Sequence, residues 1–491
     1  MVKLKRMMVL MLFMVLSVFA KSQETTSEIS GTILVGGAPL PNVIVTATHV
    51  PTGTKYMTTT RDDGRYNLPN LKIGGPYSVT TTFVGYKPEA LNDVYLTLGQ
   101  TFKQNFSLVE SVTQLSEVVV KASNNKVFSS SRNGSQETIN RTTIEQIPSV
   151  SRTWKDMVKL VPSNNSLSFG GISSQLNNVT IDGANFNNSF GLGDGTLGGQ
   201  TGAQPISLDA IEQIQVNVSP FDVKYGGFNG AGINSVTRSG KNETFGSAYQ
   251  YFKGENLQGY NVGSVTLPKQ TFNYDLKGFT VGGALIKNKL FYFVNGEQES
   301  KTVPGTSWVA SDATHSPNGI SISNANADLL NALSDFLKKT YNYDPGPYQG
   351  YTYAAKSKRL TAKIDWNIND KNTFTLKYNM LRSSNQIPPS NSGSANTSYG
   401  RAAGQYALPF YGAGYEINNN ANILIGELNT KFSNKVNNKL QVGYTQLRDF
   451  RNALTSSPFP LVDILDGNGQ PFTSFGSVSY THLTLPTILL V

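Results

Sequence analysis

The amino-acid sequence predicts a mainly β chain of three units: a small antiparallel sandwich, a Gly-rich α+β unit, and the first part of an antiparallel transmembrane barrel. Three observations lead there. Short β-prone runs alternate with turn signals over residues 29–109, and glycine is dense between Leu208 and Gly240. From Phe245 onward, long strands with two chemically different faces are joined by short turns on one side and long loops on the other.

Composition agrees with this class. The 491 residues are 38% apolar and 15% charged, with 23 Tyr, 25 Phe and 46 Gly. Low charge, many aromatics and many small polar residues suit a β-rich surface protein or a transmembrane barrel. After the first twenty residues no apolar run is long enough to cross a bilayer as a helix, so any crossing must use strands. There is no cysteine, which excludes disulfides and thiolate metal sites. The net charge of +9 is scattered, without a Lys/Arg cluster or aromatic–basic interleaving, and a nucleic-acid partner is not expected.

Residues 1–20 form a secretory signal pattern. Lys3, Lys5 and Arg6 make the basic front, Met7–Leu16 is uncharged and apolar, and Val18-Phe19-Ala20 offers a small residue before a cut near Lys21. The mature chain is therefore expected to be exported, with cleavage near Ala20.

The sandwich is expected to occupy residues 27–109. Its strands are Ile29–Leu34, Val43–Thr48, Thr54–Thr60, Tyr66–Leu68, Tyr77–Val84 and Phe102–Leu108, punctuated by Gly36-Gly37, Pro51-Thr52-Gly53, Asp62-Asp63-Gly64 and Gly74-Gly75-Pro76. Alternation places Ile33, Val43, Val45, Tyr66, Leu68, Val79 and Phe83 in its core. Ile29-Ser30-Gly31-Thr32, Ala38–Val43, Thr60–Tyr66 and Val84-Gly85-Tyr86 resemble the carboxypeptidase regulatory-like domain. That resemblance implies a prealbumin-like, carbohydrate-binding-like fold and no peptidase activity. No His/Glu pair with metal-ligand spacing is present, and His49, His315 and His482 are expected to be structural or solvent-exposed. No catalytic residue, metal or cofactor is expected.

Residues 110–135 hold a short β-prone run, Leu115-Ser116-Glu117-Val118-Val119-Val120-Lys121, followed by Ser/Asn-rich sequence with linker character at Ser123–Gln136. An extended segment with free backbone groups suits β-augmentation by a partner chain. The same run also fits the last strand of the preceding sandwich.

The α+β unit is expected over residues 136–242. Thr142–Ile147 and Ser151–Lys159 are its helices; Trp154, Met157, Val158 and Val161 recur at helical spacing before Pro162. Val179-Thr180-Ile181 then leads into an Asp182-Gly183 turn. Asn185–Gly202, rich in Gly, Asn and Phe, is either a ligand-facing apex loop or a disordered insertion. Two alternating strands, Ile211–Val216 and Ile233–Val236, flank a segment where glycine supplies positive φ and close backbone approach. Here the wording resembles the plug domain of TonB-dependent outer-membrane transporters. The residues that carry the match are Asp182 and Gly183, Glu212 within Ile211–Val216, Ser219-Pro220, Tyr225-Gly226, and Gly230-Ala231-Gly232-Ile233-Asn234.

The barrel portion is expected over residues 243–478. Ala362, Ile364, Trp366 and Ile368 alternate with Lys363, Asp365 and Asn367; Phe374, Leu376, Tyr378 and Met380 alternate with Thr375, Lys377 and Asn379; Leu440, Val442 and Tyr444 do likewise. Phe245–Lys253, Leu276–Lys287, Leu290–Glu299 and Asn422–Phe432 are further strands. Tight turns fall at Lys287-Asn288-Lys289, Asn369–Asn372 and Asn434–Asn438, and long stretches at Ser300–Arg359 and Arg382–Ala421, the asymmetry of an outer-membrane barrel. Arg or Lys facing lipid at the midplane costs about 2–4 kcal/mol, so Ile364, Trp366, Leu376 and Tyr378 should face out while Lys363, Asp365 and Lys377 face the plug. A small external helix is expected over Ala325–Tyr341.

Taken in order, these units resemble a TonB-dependent receptor of the Oar-like kind, located in the outer membrane. The resemblance implies that Leu115–Lys121 is a TonB box pairing with a TonB-type periplasmic energy-coupling protein, that barrel strands contact outer-membrane lipids, and that a peptide, glycan or siderophore is the solute. It also implies about 22 barrel strands, against about seven or eight here. The stretch 479–491 has poor alternation and is expected to be foreign or out-of-frame sequence after a truncation, leaving this polypeptide alone unable to transport. A surface adhesin or structural outer-membrane protein on the same barrel, and a soluble carbohydrate-binding module protein, are the rival functions.

Overall fold

The computed structural model describes residues 24–111, 118–121, 135–149, 151–188, 195–218, 227–263, 265–266, 271–391, 394, 400–455, 457, 459–477 and 483–490. The signal pattern, most of the Ser/Asn-rich linker, and Pro220, Tyr225 and Gly226 of the plug pattern lie outside them.

The N-terminal unit is a sandwich of two five-stranded sheets. Its strands are β1 (Ser27–Val35), β2 (Ala38–Pro39), β3 (Ile44–His49), β4 (Thr54–Thr59), β5 (Arg65–Leu71), β6 (Gly74–Thr82), β7 (Glu89–Leu96), β8 (Thr101–Lys103), β9 (Phe106–Ser107) and β10 (Val118–Lys121). One sheet centres on β1, flanked by β2, β5, β8 and β9; the other runs β10-β7-β6-β3-β4. Ile33, Val43, Val45, Tyr66, Leu68 and Val79 are all buried in the shared core, and Phe83 packs against it half-buried. Two details depart from the sequence expectation. The run Phe102–Leu108 is two short strands, each parallel to β1. Strand β7 was not anticipated, because Asn92-Asp93 interrupts its alternation; Asp93 takes a left-handed conformation (φ 60°) while Leu91, Val94 and Leu96 still enter the core.

His49 is the one histidine of this sandwich, and it is buried. Its Nδ1 lies 2.7 Å from Thr52 Oγ1 and its ring 4.9 Å from that of Tyr77. Burial, reinforced by Lys72 and Lys241 and opposed by Asp365, pushes its pKa down to about 3. The folded chain therefore holds His49 neutral, and the unfolded chain binds the extra proton between about pH 3 and 6.5. That contribution is complete above pH 6.5 and is lost as pH falls, by up to about 1.4 kcal/mol per unit. Thermal melts of the chain at pH 6.5 and 4.5 should differ more than those of His49→Gln; equal pH dependence in both would contradict this.

The second unit comprises β11 (Ser135–Asn140), α1 (Arg141–Gln146), α2 (Trp154–Val158), β12 (Asn164–Asn165), β13 (Ser168–Phe169), β14 (Asn178–Ile181), β15 (Ala184–Asn185), β16 (Ile211–Val218) and β17 (Ala231–Thr237). Asn140 and Thr153 cap the helices by accepting backbone N–H bonds from Thr143 and Asp156. Trp154, Met157, Val158 and Val161 are buried on one side, as their spacing predicts. The sheet runs β11-β16-β17-β14-β15, with β14 and β17 parallel, and its core is continuous with barrel residues Phe293, Leu381, Ile423 and Ile425.

The third unit is an open antiparallel sheet. It contains β18 (Phe245–Gly254), the short pair β19 (Asn261–Val262) and β20 (Val265–Thr266), then β21 (Asn273–Ile286) and β22 (Leu290–Pro304). An outer excursion carries β23 (Val309–Ser311), β24 (Ile322–Asn326) and α3 (Ala327–Tyr341). The sheet resumes with β25 (Thr352–Asn369), β26 (Asn372–Ile387), β27 (Tyr415–Lys431) and β28 (Asn437–Ala453), followed by β29 (Val462–Leu465), β30 (Pro471–Phe475) and β31 (Leu483–Leu490). Sheet order is β18-β21-β22-β25-β26-β27-β28-β31, eight strands that do not close. Residues 483–490 thus lie as an edge strand against Val442–Asp449.

Sidedness follows the expected rule. Lys363, Asp365 and Lys377 are buried toward the plug, whereas Ile364, Trp366 and Leu376 are 41%, 41% and 37% exposed on the outer face. Leu424 lies on that outer face between Tyr378 and Tyr444. Leu424→Lys should therefore cost about 2–4 kcal/mol in a bilayer, measured as a lower urea midpoint for the lipid-embedded chain; an unchanged midpoint would reverse the sidedness.

The long loops fold on each other at the far end. Helix α3 is capped by Asn326 and ends at Asn342 (φ 51°). Its Leu330 and Leu337 join Tyr343, Leu408, Phe410 and Phe475 in a separate core, beside a stacked Tyr343–Phe459 pair (4.4 Å). Arg401 fixes the cluster by gripping both oxygens of Asp463, at 2.7 and 2.8 Å.

Candidate functional site

The plug is locked to the barrel wall by buried charge, and Asp182 sits at the centre. Asp182 and Gly183 form the two-residue turn of the β14–β15 hairpin, both with positive φ (53° and 81°), as a type I′ turn requires. Asp182 is fully buried. Its carboxylate accepts from Thr237 N at 3.0 Å and Thr237 Oγ1 at 2.6 Å, and lies 3.8 Å from Lys377 Nζ. Lys377 also reaches Glu427 at 3.3 Å, and Lys363 Nζ donates to the Thr237 carbonyl at 3.2 Å. Gln441 donates to the Asp182 carbonyl, so close to Gly183 that any β-carbon there would lie 2.7 Å from it. Directly and through Lys377 the turn ties the plug to β26, β27 and β28, and the neighbouring Thr237 carbonyl ties it to β25.

Three further anchors hold the plug. Ser207 and Tyr249 donate to Glu297 at 2.8 and 2.6 Å, and Glu297 lies 3.1 Å from Arg359, which also pairs with Glu299. Asp209 gathers Arg141 (3.4 Å) and Arg152 (3.0 Å), the latter lying over the rings of Tyr249 and Tyr251. Farther from the short turns, Thr201 N donates to Asn419 at 3.1 Å and its hydroxyl meets Ser383 Oγ at 2.8 Å. The end of the Gly/Asn-rich stretch therefore packs on β26 and β27.

Other plug-pattern residues have plain roles. Asn234 accepts from Thr180 Oγ1 across the parallel β14–β17 pair. Gly230 and Gly232 are needed for close approach rather than positive φ: a β-carbon would lie 2.3 Å from Asn177 Oδ1 or 2.8 Å from the Phe228 ring. Glu212 lies beside Gly74 of the sandwich.

That last contact belongs to a seam the sequence did not disclose. Lys72 of the sandwich bridges to Asp365 in the barrel at 3.0 Å. Gln213 and Gln215 of β16 bond both backbone groups of Leu98, at 3.1 and 2.6 Å. Asn367 donates to Thr54 Oγ1 at 2.8 Å, and Asn242 N to the Pro51 carbonyl at 2.8 Å. The sandwich covers the short-turn end of plug and barrel, and only residues far apart in sequence meet there, so local pattern carries no signal for it.

Of the extended segment Leu115–Lys121, the first three residues lie outside the described set. Val118–Lys121 adds to the sandwich edge as β10, parallel to β7, with Val119 opposite Ala90. Among the described residues no group of three or more His, Cys, Asp or Glu is arranged to hold a metal ion.

Three family profiles match the chain. Residues 28–109 match the carboxypeptidase regulatory-like domain, residues 129–233 the TonB-dependent receptor plug domain, and residues 236–487 an outer membrane β-barrel domain. The chain belongs to this outer membrane β-barrel family, in the class of TonB-dependent receptors that carry a plug and an N-terminal regulatory-like domain. It is similar to the TonB-dependent transporter Oar of Myxococcus xanthus, 28% identical over 287 residues, which are 55% of this chain and 26% of that protein. The chain thus spans about a quarter of that relative's length. Among solved structures, the outer membrane transporter YddB from Escherichia coli aligns with a TM-score of 0.45 at 13% identity, covering 71% of this chain and 43% of that one. The siderophore receptor PirA from Acinetobacter baumannii aligns with a TM-score of 0.40 at 17% identity, covering 72% and 43%.

Proposed function

We propose that this chain supplies the regulatory-like domain, plug and first barrel strands of a receptor for energy-coupled uptake of a large or scarce solute across the outer membrane. The observation that carries it is the Asp182 turn and the adjoining Thr237 of the plug, tied through Lys377, Glu427, Gln441 and Lys363 to four strands of the surrounding sheet: a seal closed by charge, which only applied work would open. In this reading the outer loop cluster and the plug end near Thr201 meet the solute, a peptide, glycan or siderophore. A TonB-type protein in the periplasm then pairs with Leu115–Lys121 and pulls on the plug. No covalent chemistry is involved.

The pairing of Val118–Lys121 with β7 favours a second role for the same residues as an edge strand of the sandwich. The two roles are compatible when the strand exchanges between β7 and the coupling protein, since both use the same backbone groups. Deleting Leu115–Lys121 from a receptor containing these domains should abolish energy-dependent solute uptake while leaving surface display intact. Undiminished uptake would overturn the transport reading; normal cell adhesion with no uptake at all in the unaltered receptor would favour the adhesin.

A further inference from the structure

We propose that the cleft between the sandwich and the short barrel turns binds the phosphate of an anionic phospholipid from the periplasmic leaflet. A cleft of about 350 Å³ opens between β4 and the turns that follow β21, β25 and β27. Four lysines line it: Lys55 from the sandwich, Lys289 and Lys371 from two of the turns, and Lys431 from the end of β27. Asp370 is the single carboxylate in the lining, and none of the four lysines forms an ion pair among the described residues. Lys431 donates to the Met57 carbonyl, which holds one ammonium at the cleft wall. Asn288, Asn369 and Asn437 add amide groups to the same lining.

Lysines gathered around one cleft repel each other, and an anion between them relieves that repulsion. Its source follows from position. Trp366 and Phe374 pair across β25 and β26, close to the turns that carry the lysines, and Trp366 is on the outer face. Aromatic side chains settle at headgroup level, so the cleft lies at the depth of lipid phosphates. Such a lipid would bridge sandwich and barrel rim, making the docking of the regulatory-like domain sensitive to leaflet composition. This rests on the outer-membrane assignment and not on energy coupling.

The test uses the full chain in an uncharged maltoside detergent, titrated with phosphatidylglycerol or phosphatidylcholine and read by native mass spectrometry. Phosphatidylglycerol should bind roughly tenfold or more tightly than phosphatidylcholine. Lys289→Gln with Lys371→Gln should remove most of that preference, each basic residue near an anionic headgroup contributing several-fold. The charge-matched control, Lys338→Gln with Lys339→Gln on α3 at the opposite end, should keep it. Equal binding of the two lipids, or a preference that survives the Lys289/Lys371 pair, overturns the site. Displacement by millimolar inorganic phosphate with no preference for phosphatidylglycerol overturns the lipid as its occupant. Because Lys289 and Lys371 are exposed, circular dichroism should show both variants folded, and the lipid preference of the unaltered chain tests the site without any variant.

Discussion

Asp182→Ala is expected to lower the melting temperature of the folded chain in detergent by on the order of 10 °C. The substitution removes the acceptor for both Thr237 N and Thr237 Oγ1 and leaves Lys377 with Glu427 alone. Removing one partner of a buried charged network costs about 3–5 kcal/mol, because the remaining groups keep their desolvation penalty. At a few degrees per kcal/mol for a unit of this size, the expected drop follows. Asp182→Asn keeps one acceptor oxygen and should cost about half as much. Adding Lys377→Met to Asp182→Ala should cost less than the sum of the two single losses, since both remove the same Asp182–Lys377 pair. A drop under about 2 °C for Asp182→Ala, or strict additivity in the double variant, would show that the hairpin is not the plug's anchor.

Val119→Pro is expected to reduce energy-coupled uptake at least about tenfold in a receptor carrying it. Proline removes a backbone donor and forces Val118 toward extended conformations of restricted range. One lost strand hydrogen bond together with that restriction corresponds to roughly 1–3 kcal/mol of pairing energy. The affinity for the coupling protein should therefore fall about ten- to a hundredfold. Solute binding at the outer face should be unchanged, because the segment is on the opposite side of the plug. Uptake at the normal rate would remove Leu115–Lys121 from the coupling role and leave it as a sandwich strand.

What was legible in the sequence was whatever obeys a short period or a strict backbone demand. Lys363 and Ile364 are assigned to opposite faces by alternation alone, since a lipid face and a wet lumen select different side chains. The Asp182-Gly183 turn was legible because two successive positive-φ residues in a hairpin leave few alternatives to Asn or Asp followed by Gly. The second helix was legible from Trp154, Met157, Val158 and Val161. Strand β7 was missed because the left-handed Asp93 breaks the period that marks a strand. The charge seam was missed for a different reason: Lys72 and Asp365 are 293 residues apart, and although alternation turns Asp365 inward, nothing local names its partner. The same holds for Arg359 with Glu297, and for the loop core in which Tyr343 meets Phe459. Val118–Lys121 shows a third limit. A run with free backbone groups and plain side chains is suited equally to an edge of its own domain and to a partner's sheet.

The central claim is that the Gly-rich unit sits inside the curved sheet, with its far end against β26 and β27. The most direct test is a cross-link between Thr201→Cys and Ser383→Cys, whose native hydroxyl oxygens are 2.8 Å apart. The chain has no cysteine of its own, so any disulfide must be the engineered one. Oxidation of the double variant in detergent should give near-complete intramolecular cross-linking, read as a reducible mobility shift on denaturing gels, while either single variant gives none. Two free thiols that label fully with maleimide after oxidation would show that the plug does not occupy the barrel.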